Sequence, residues 1–422
     1  MKGPWRFGVA RGPWALAVLL LVGHTVYAAP RPFPRVELPE SHLGPEQLAV
    51  IVNDADASSI EVGAYYAKER GLPPSQVVHV SFPSGLDSLD VDTFGRIHAE
   101  VEAQVAPQIQ AFALAWTHPF RVGCMSISSA FALGFDPAYC ATGCVPTKRS
   151  IYYNTASATP YATYHVRPTM MLAGSSVSQV RAMIDRGVRS DGRWPGGTAY
   201  LVQTGDRARN VRAASYASLQ ALLARSYPIV LANEPLEGRS DVMFYFVGAS
   251  QVPGLASLHF EDGAIADHLT SFGGVLTGGR QMSSLAWLDA GATASYGTVV
   301  EPCSFPAKFP DVGVVMGHYL SGETLIEAYW KSVSMPGQGV FIGEPLARPF
   351  SGARLTWTKD NTLSIETREL PPGNYLLQES DSSHISFRTI GAWSFADFDV
   401  RDLRIPDALS NAVYRVVAAP PS

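Results

Sequence analysis

A cysteine, two histidines and a carboxylate are the residues of this chain best suited to covalent chemistry. Cys303 closes the block Glu301-Pro-Cys303, which follows an apolar strand expected over Ala294 to Val300. In a parallel sheet, ligands gather at the carboxyl ends of strands. A thiol placed there could attack a carbonyl, with His268 or His318 taking up the proton and Glu301 orienting the base. The opposing reading is that Cys303 is half of a disulfide. Further carboxylates surround the same blocks: Asp262, Asp267, Asp311, Glu323 and Glu344. Asp262 and Glu323 suit helix starts, where the helix dipole favours a negative charge. Lys308 and Arg280 are lone bases that could meet an anion, and Trp287 and Trp330 lie on helical stripes that belong in a core.

The four cysteines are Cys124, Cys140, Cys144 and Cys303. An even number in an exported chain favours oxidation, and four cysteines allow three pairings. Nearness in sequence suggests Cys140–Cys144, which leaves Cys124 for Cys303. A metal held by Cys124, Cys140 and Cys144 with His118 or His165 would need a spacing unlike the usual zinc patterns.

Export is expected from the first residues. Lys2, Arg6 and Arg11 precede an apolar run from Trp14 to Val22, and Val26-Tyr-Ala28 is a small-residue cleavage pattern. That run is roughly ten residues, short of the about 20 that span a bilayer. Residues 1–28 are therefore read as a signal peptide and 29–46 as a linker. After its removal no segment is long and apolar enough to insert in a membrane. Three of the 32 basic residues leave with the leader, so 29 remain against 37 acids, a formal −8. Such a charge disfavours nucleic acid, whose phosphates need a basic surface.

From residue 47 to about 350 the chain alternates apolar strands with amphipathic helices. Strands are expected at Leu48–Val52, Val77–Phe82, Ala113–Trp116, Thr198–Val202, Ile229–Leu231, Val242–Val247 and Gly339–Ile342. Helices are expected after Ser58 and Asp92 and over Ser176–Val188, Val211–Leu223, Ala264–Thr270, Ser283–Ala290 and Thr324–Val333. This rhythm predicts an α/β fold, a mostly parallel sheet with helices on both faces. A Cys-rich stretch at about 123–165 interrupts it and reads as a cross-linked insert. From 351 to 422 the pattern turns to period two, as in a small β-sandwich of immunoglobulin type. No P-loop, nucleophile elbow or zinc helix occurs, so no cofactor and no metal are expected.

Five blocks resemble an uncharacterised family of exported bacterial proteins: Ala64 to Pro73, Ile265 to Gly274, Gly297 to Cys303, Gly322 to Lys331 and Phe341 to Leu346. That resemblance implies no reaction. A more distant one is to gingipain-type, caspase-fold cysteine peptidases. Phe244 to Ser250 is similar to the strand that ends in that family's catalytic histidine, and Val275-Leu-Thr-Gly278 to the block that opens with its nucleophile. Gly343-Glu-Pro345 and the β-rich end are also similar. On this resemblance Ala249 stands at the histidine position and Val275 at the cysteine position, which implies a caspase-like core without its dyad. The expected role is binding or structure, toward a protein or glycan ligand. The alternative is a hydrolase relocated to Cys303.

Overall fold

A computed structural model describes residues 1, 3, 31–39, 42–141, 143–381 and 386–420. The leader expected over 1–28 falls, but for Met1 and Gly3, outside the described residues.

Ten strands form the large sheet: β1 (Leu48–Asn53), β2 (Val77–Val80), β3 (Ala111–Leu114), β4 (Thr169–Met171), β5 (Thr198–Val202), β6 (Ile229–Ala232), β7 (Val242–Gly248), β8 (Phe260–Leu269), β9 (Ala294–Thr298) and β10 (Gly339–Gly343). Their spatial order is β6-β5-β7-β8-β9-β10-β4-β3-β1-β2. All neighbours are parallel except β9 and β10. The sheet is thus two parallel half-sheets running in opposite directions. The carboxyl ends of β5, β7, β8 and β9 share one edge, and those of β1, β3 and β4 share the other.

The strands are runs of apolar residues because both faces are covered. Every residue of β1, β7 and β10 is buried. The covering helices include α1 (Ala57–Glu69), α2 (Val91–Gln104), α3 (Ile127–Leu133), α4 (Pro160–Tyr164), α5 (Val177–Ser190), α6 (Tyr216–Leu223), α7 (Leu285–Asp289), α8 (Val312–Leu320) and α9 (Leu325–Ser332). Their starts follow local capping chemistry. Asp56 accepts from the Ser58 amide and Asp90 from the Thr93 amide, so these carboxylates cap α1 and α2 in place of the expected Ser58 and Asp92. Thr324 and Glu327 close a capping box on α9.

One element differs in kind from the sequence reading. Ala264–Thr270 is expected as a helix opened by Asp262, yet Phe260–Leu269 is a strand. Gly263 has φ +90°, and a Cβ there would meet Pro349 and Ser190 at 3.0 Å. The strand is kinked at that point, where its register against β7 shifts. Beyond it, Ala264 to Leu269 is buried on both sides. A short apolar run of that type has no alternation to separate it from helix. Asp262 instead forms a two-pronged ion pair with Arg189, both contacts at 2.9 Å.

The chain ends in strands β11 (Ala353–Trp357), β12 (Leu363–Thr367), β13 (Gly373–Ser380), β14 (Arg388–Phe395), β15 (Arg401–Ile405) and β16 (Val413–Ala418). They form two small sheets, antiparallel among themselves. Leu363, Ile365, Leu403 and Ile405 of one sheet share an apolar cluster with Tyr375, Leu377, Tyr414 and Val416 of the other. The segment expected as a linker adds a strand here: Arg35–Glu37 pairs in parallel with Val413–Arg415 of β16.

Candidate functional site

Of the sequence-predicted site residues, Glu301 and Cys303 share one turn, while His268 and His318 each have their own surroundings. Cys303 is bonded to Cys144, and Cys124 to Cys140. The expected pairs, Cys140–Cys144 and Cys124–Cys303, are therefore corrected. Cys140 closes the short turn Pro137–Tyr139. Gly143 has φ +76°, and Cys144 beside it bonds to Cys303 in the loop after β9. Cys303 itself is left-handed, φ +53°, and its amide donates to Glu301 Oε1 at 2.8 Å. Glu301 thus shapes the turn that aims Cys303 at Cys144, in place of orienting an imidazole. A sulfur held in a disulfide has no thiolate to offer.

His268 lies on β8, buried. Its Nδ1 accepts from Trp287 Nε1–H at 2.9 Å, and its Nε2–H donates to the Met282 carbonyl at 2.9 Å. Both nitrogens are satisfied in the neutral ring. Burial, more than the nearby Arg212 and Arg209, holds its pKa down to about 4. In the unfolded chain the same ring titrates near 6.5. The unfolded state therefore binds more protons between these values, and stability falls as pH drops through that window. The loss attributable to this ring approaches about 3 kcal/mol by pH 4, at roughly 1.4 kcal/mol per pKa unit. Urea midpoints measured from pH 7 to pH 4 should fall more steeply for the wild type than for His268→Gln.

His318 sits on α8, with Nδ1 2.8 Å from Glu323 Oε1 and Nε2 3.1 Å from Asn154 Oδ1. Glu323 also binds Lys331 Nζ at 2.7 Å. Burial opposes its ionisation, but Lys331 and His318 outweigh that and hold its carboxyl below the ordinary range. This network joins α8, α9 and the Cys-rich segment, and neither histidine bonds to Cys303 or Glu301. The other carboxylates are also engaged. Glu344 is buried and grips Arg70, Asp267 pairs with Arg212 at 2.6 Å, and Asp311 caps α8 through the Val314 amide at 3.0 Å. Lys308 is buried with its ammonium 5.0 Å from the Phe305 ring, and Arg280 is exposed. Trp287 and Trp330 are fully buried, as core residues.

What the fold does bring together is the carboxyl edge of the second half-sheet. The β7–β8 register pairs Gly248 with Leu269. Ala249 and Thr270 are therefore the first residues beyond the two strand ends, and Val275 lies five residues past Thr270 in the following loop. A Cβ on Gly248 would sit 2.1 Å from the Arg209 carbonyl oxygen, so its absence lets that backbone pack directly on the strand end. Arg209 then bridges the edge: it pairs with Asp206 at 2.7 Å, and its Nε–H donates to Thr270 Oγ1 at 2.9 Å. Thr270 in turn donates to Gln281 Oε1 at 2.9 Å. This relay borders a cavity of about 130 Å³ lined also by Ser271, Glu301, Cys303 and Phe309. Phe309 is shared with a larger cavity of about 390 Å³ between the loop after β5, the loop after β9 and the Cys-rich segment. Arg209 and Arg212 escape the sequence reading. Their place just after an apolar strand was the available signal, since loops at strand carboxyl ends carry sites in parallel sheets.

Two solved structures are similar to this chain. One, described as a protease, is 11% identical with a TM-score of 0.45 and covers 90% of this chain and 98% of its own. The other is the complex of pro- and mature domains of RgpB from Porphyromonas gingivalis, 11% identical with a TM-score of 0.42, covering 88% and 99%. No protein-family model and no curated protein matches the chain. No helix among the described residues is long and apolar enough to cross a membrane.

Proposed function

We propose that this is an exported binding protein whose ligand sits at the carboxyl edge of the second half-sheet, and that it is not a thiol hydrolase. The observation that carries this reading is the bond from Cys303 to Cys144. It takes the Cys303 sulfur out of nucleophilic chemistry, while His268, buried at the end of β8, and His318, on α8, are each held by their own partners. Ala249 and Thr270, at the two strand ends, add neither a thiol nor an imidazole. The same edge nevertheless opens into two cavities with basic and hydroxyl groups in their walls. The two disulfides fit an oxidising compartment, which supports export. The separate apolar cluster of the final strands supports a small β-domain over 351–422, completed by Arg35–Glu37.

The test is a panel of peptide, amide and ester substrates offered to the oxidised, exported protein. Turnover is expected to be no higher than that of a Cys303→Ala variant. Turnover that survives purification and disappears in that variant would restore the hydrolase.

A further inference from the structure

The larger cavity has a built frame. Residues 331–335 run between its walls, and four backbone hydrogen bonds hang both walls on that one segment. Ser150 donates to the Ser334 carbonyl and Asn154 to that of Lys331, both at 2.8 Å, which fixes the Cys-rich wall. Asp311 donates to the Ser332 carbonyl at 2.8 Å and Met335 to that of Ala307 at 2.7 Å, which fixes the opposite wall. The Cys144–Cys303 bond ties the same two walls covalently. A cavity framed in this way is preorganised, so little ordering cost falls on a ligand.

Its chemistry is two-signed. Arg149 is exposed and has no carboxylate partner among the described residues, so its guanidinium is free for an anion. Asp311 spends one oxygen on the α8 cap, and its other oxygen takes part in no hydrogen bond among the described residues. Tyr153 lines the cavity within electrostatic reach of both: burial raises its phenol's pKa, Asp311 raises it further and Arg149 opposes. Ser334 is nine-tenths buried, and its hydroxyl has no hydrogen-bond partner among the described residues. The remaining wall is apolar, chiefly Pro306, Phe309 and Val312. Arg212 also lines it, but its charge is already matched by Asp267.

Resting on the binding reading above, we infer that this cavity takes a free amino acid or dipeptide as its zwitterion, with an apolar side chain, its carboxylate on Arg149, its ammonium at Asp311 and its side chain against Phe309 and the prolines. The volume of about 390 Å³ is at the small end of ligand sites, which run from about 300 to 1,000 Å³, and suits one or two residues better than a polymer.

Calorimetric titration of the oxidised full chain tests this with leucine and leucyl-leucine as probes, against N-acetyl-leucine, which lacks the ammonium, and leucinamide, which lacks the carboxylate. Leucine or its dipeptide should bind, and each blocked analogue of leucine should bind about ten- to a hundredfold more weakly, as for loss of one charged hydrogen bond. Arg149→Ala should erase the preference over leucinamide. Asp311→Asn, which keeps a capping oxygen, should erase the preference over N-acetyl-leucine. Unchanged melting temperatures would show that both variants are folded. No heat with either free probe, or blocked analogues binding as well as leucine, would overturn the inference. Thiol-dependent turnover in the substrate panel would instead overturn the binding reading beneath it.

Discussion

Replacing Asp267 by alanine is expected to destabilise the protein by about 3–5 kcal/mol, the usual cost of leaving a buried charge without its partner. Asp267 is on β8 and Arg212 follows β5. Their side chains are 1% and 5% exposed and meet at 2.6 Å. Burial raises the Asp267 carboxyl pKa, and Arg212 pulls it back. The guanidinium also donates to the Val247 carbonyl at 3.1 Å and stands 5.6 Å from the centre of the Phe246 ring. Removing the carboxylate strands that cation among apolar and aromatic groups. The double variant Asp267→Leu, Arg212→Met should recover most of the loss, because an apolar pair of similar volume has no charge to desolvate. Chemical denaturation of the three proteins at pH 7 measures this. A loss below about 1 kcal/mol in the single variant would mean that Arg212 finds water or another partner, contrary to its burial here.

Converting both Cys144 and Cys303 to serine is expected to cost about 2–5 kcal/mol. The bond links positions 159 apart in sequence, so reduction frees a long loop in the unfolded chain. The Cys124–Cys140 bond spans 16 positions and should matter less. In the chain-entropy picture the difference is about 1–2 kcal/mol, since the term grows with the logarithm of loop length. The double serine variant should also lose ligand affinity at the larger cavity, because the same bond holds its two walls. Denaturation with and without reductant, on wild type and both double variants, separates the two contributions. Equal losses from the two pairs would count against the pairing described here.

Much of the fold was legible in the sequence, for reasons that can be named. Strands such as Leu48–Asn53 and Val242–Gly248 are continuous apolar runs because helices cover both faces. Helix α5 has a clear apolar side, with Val180, Met183 and Ile184 buried. The strand at Phe260–Leu269 was not legible, since burial on both faces erased its period. Helix α8 was also missed. Its Val312 to Leu320 run carries two glycines and three valines, which weaken any helical signal. Reversal of the two half-sheets rests on the single antiparallel contact of β9 with β10, which no local pattern encodes. The same holds for the site. Cys303 and Glu301 were visible as residue types, but the partner of Cys303 lies in a loop whose path depends on Gly143 and on the frame at 331–335. The Arg209–Thr270–Gln281 relay joins three segments, and its geometry exists only after the sheet has formed.

The most direct test of the account is a non-reducing peptide map of the protein purified without reductant, with free thiols trapped during denaturation. The expected result is two cross-linked species, Cys144 with Cys303 and Cys124 with Cys140, and no alkylated cysteine. Alkylated Cys303 in protein that still binds or turns over a ligand would contradict it, and would place a thiol at the carboxyl edge of the second half-sheet.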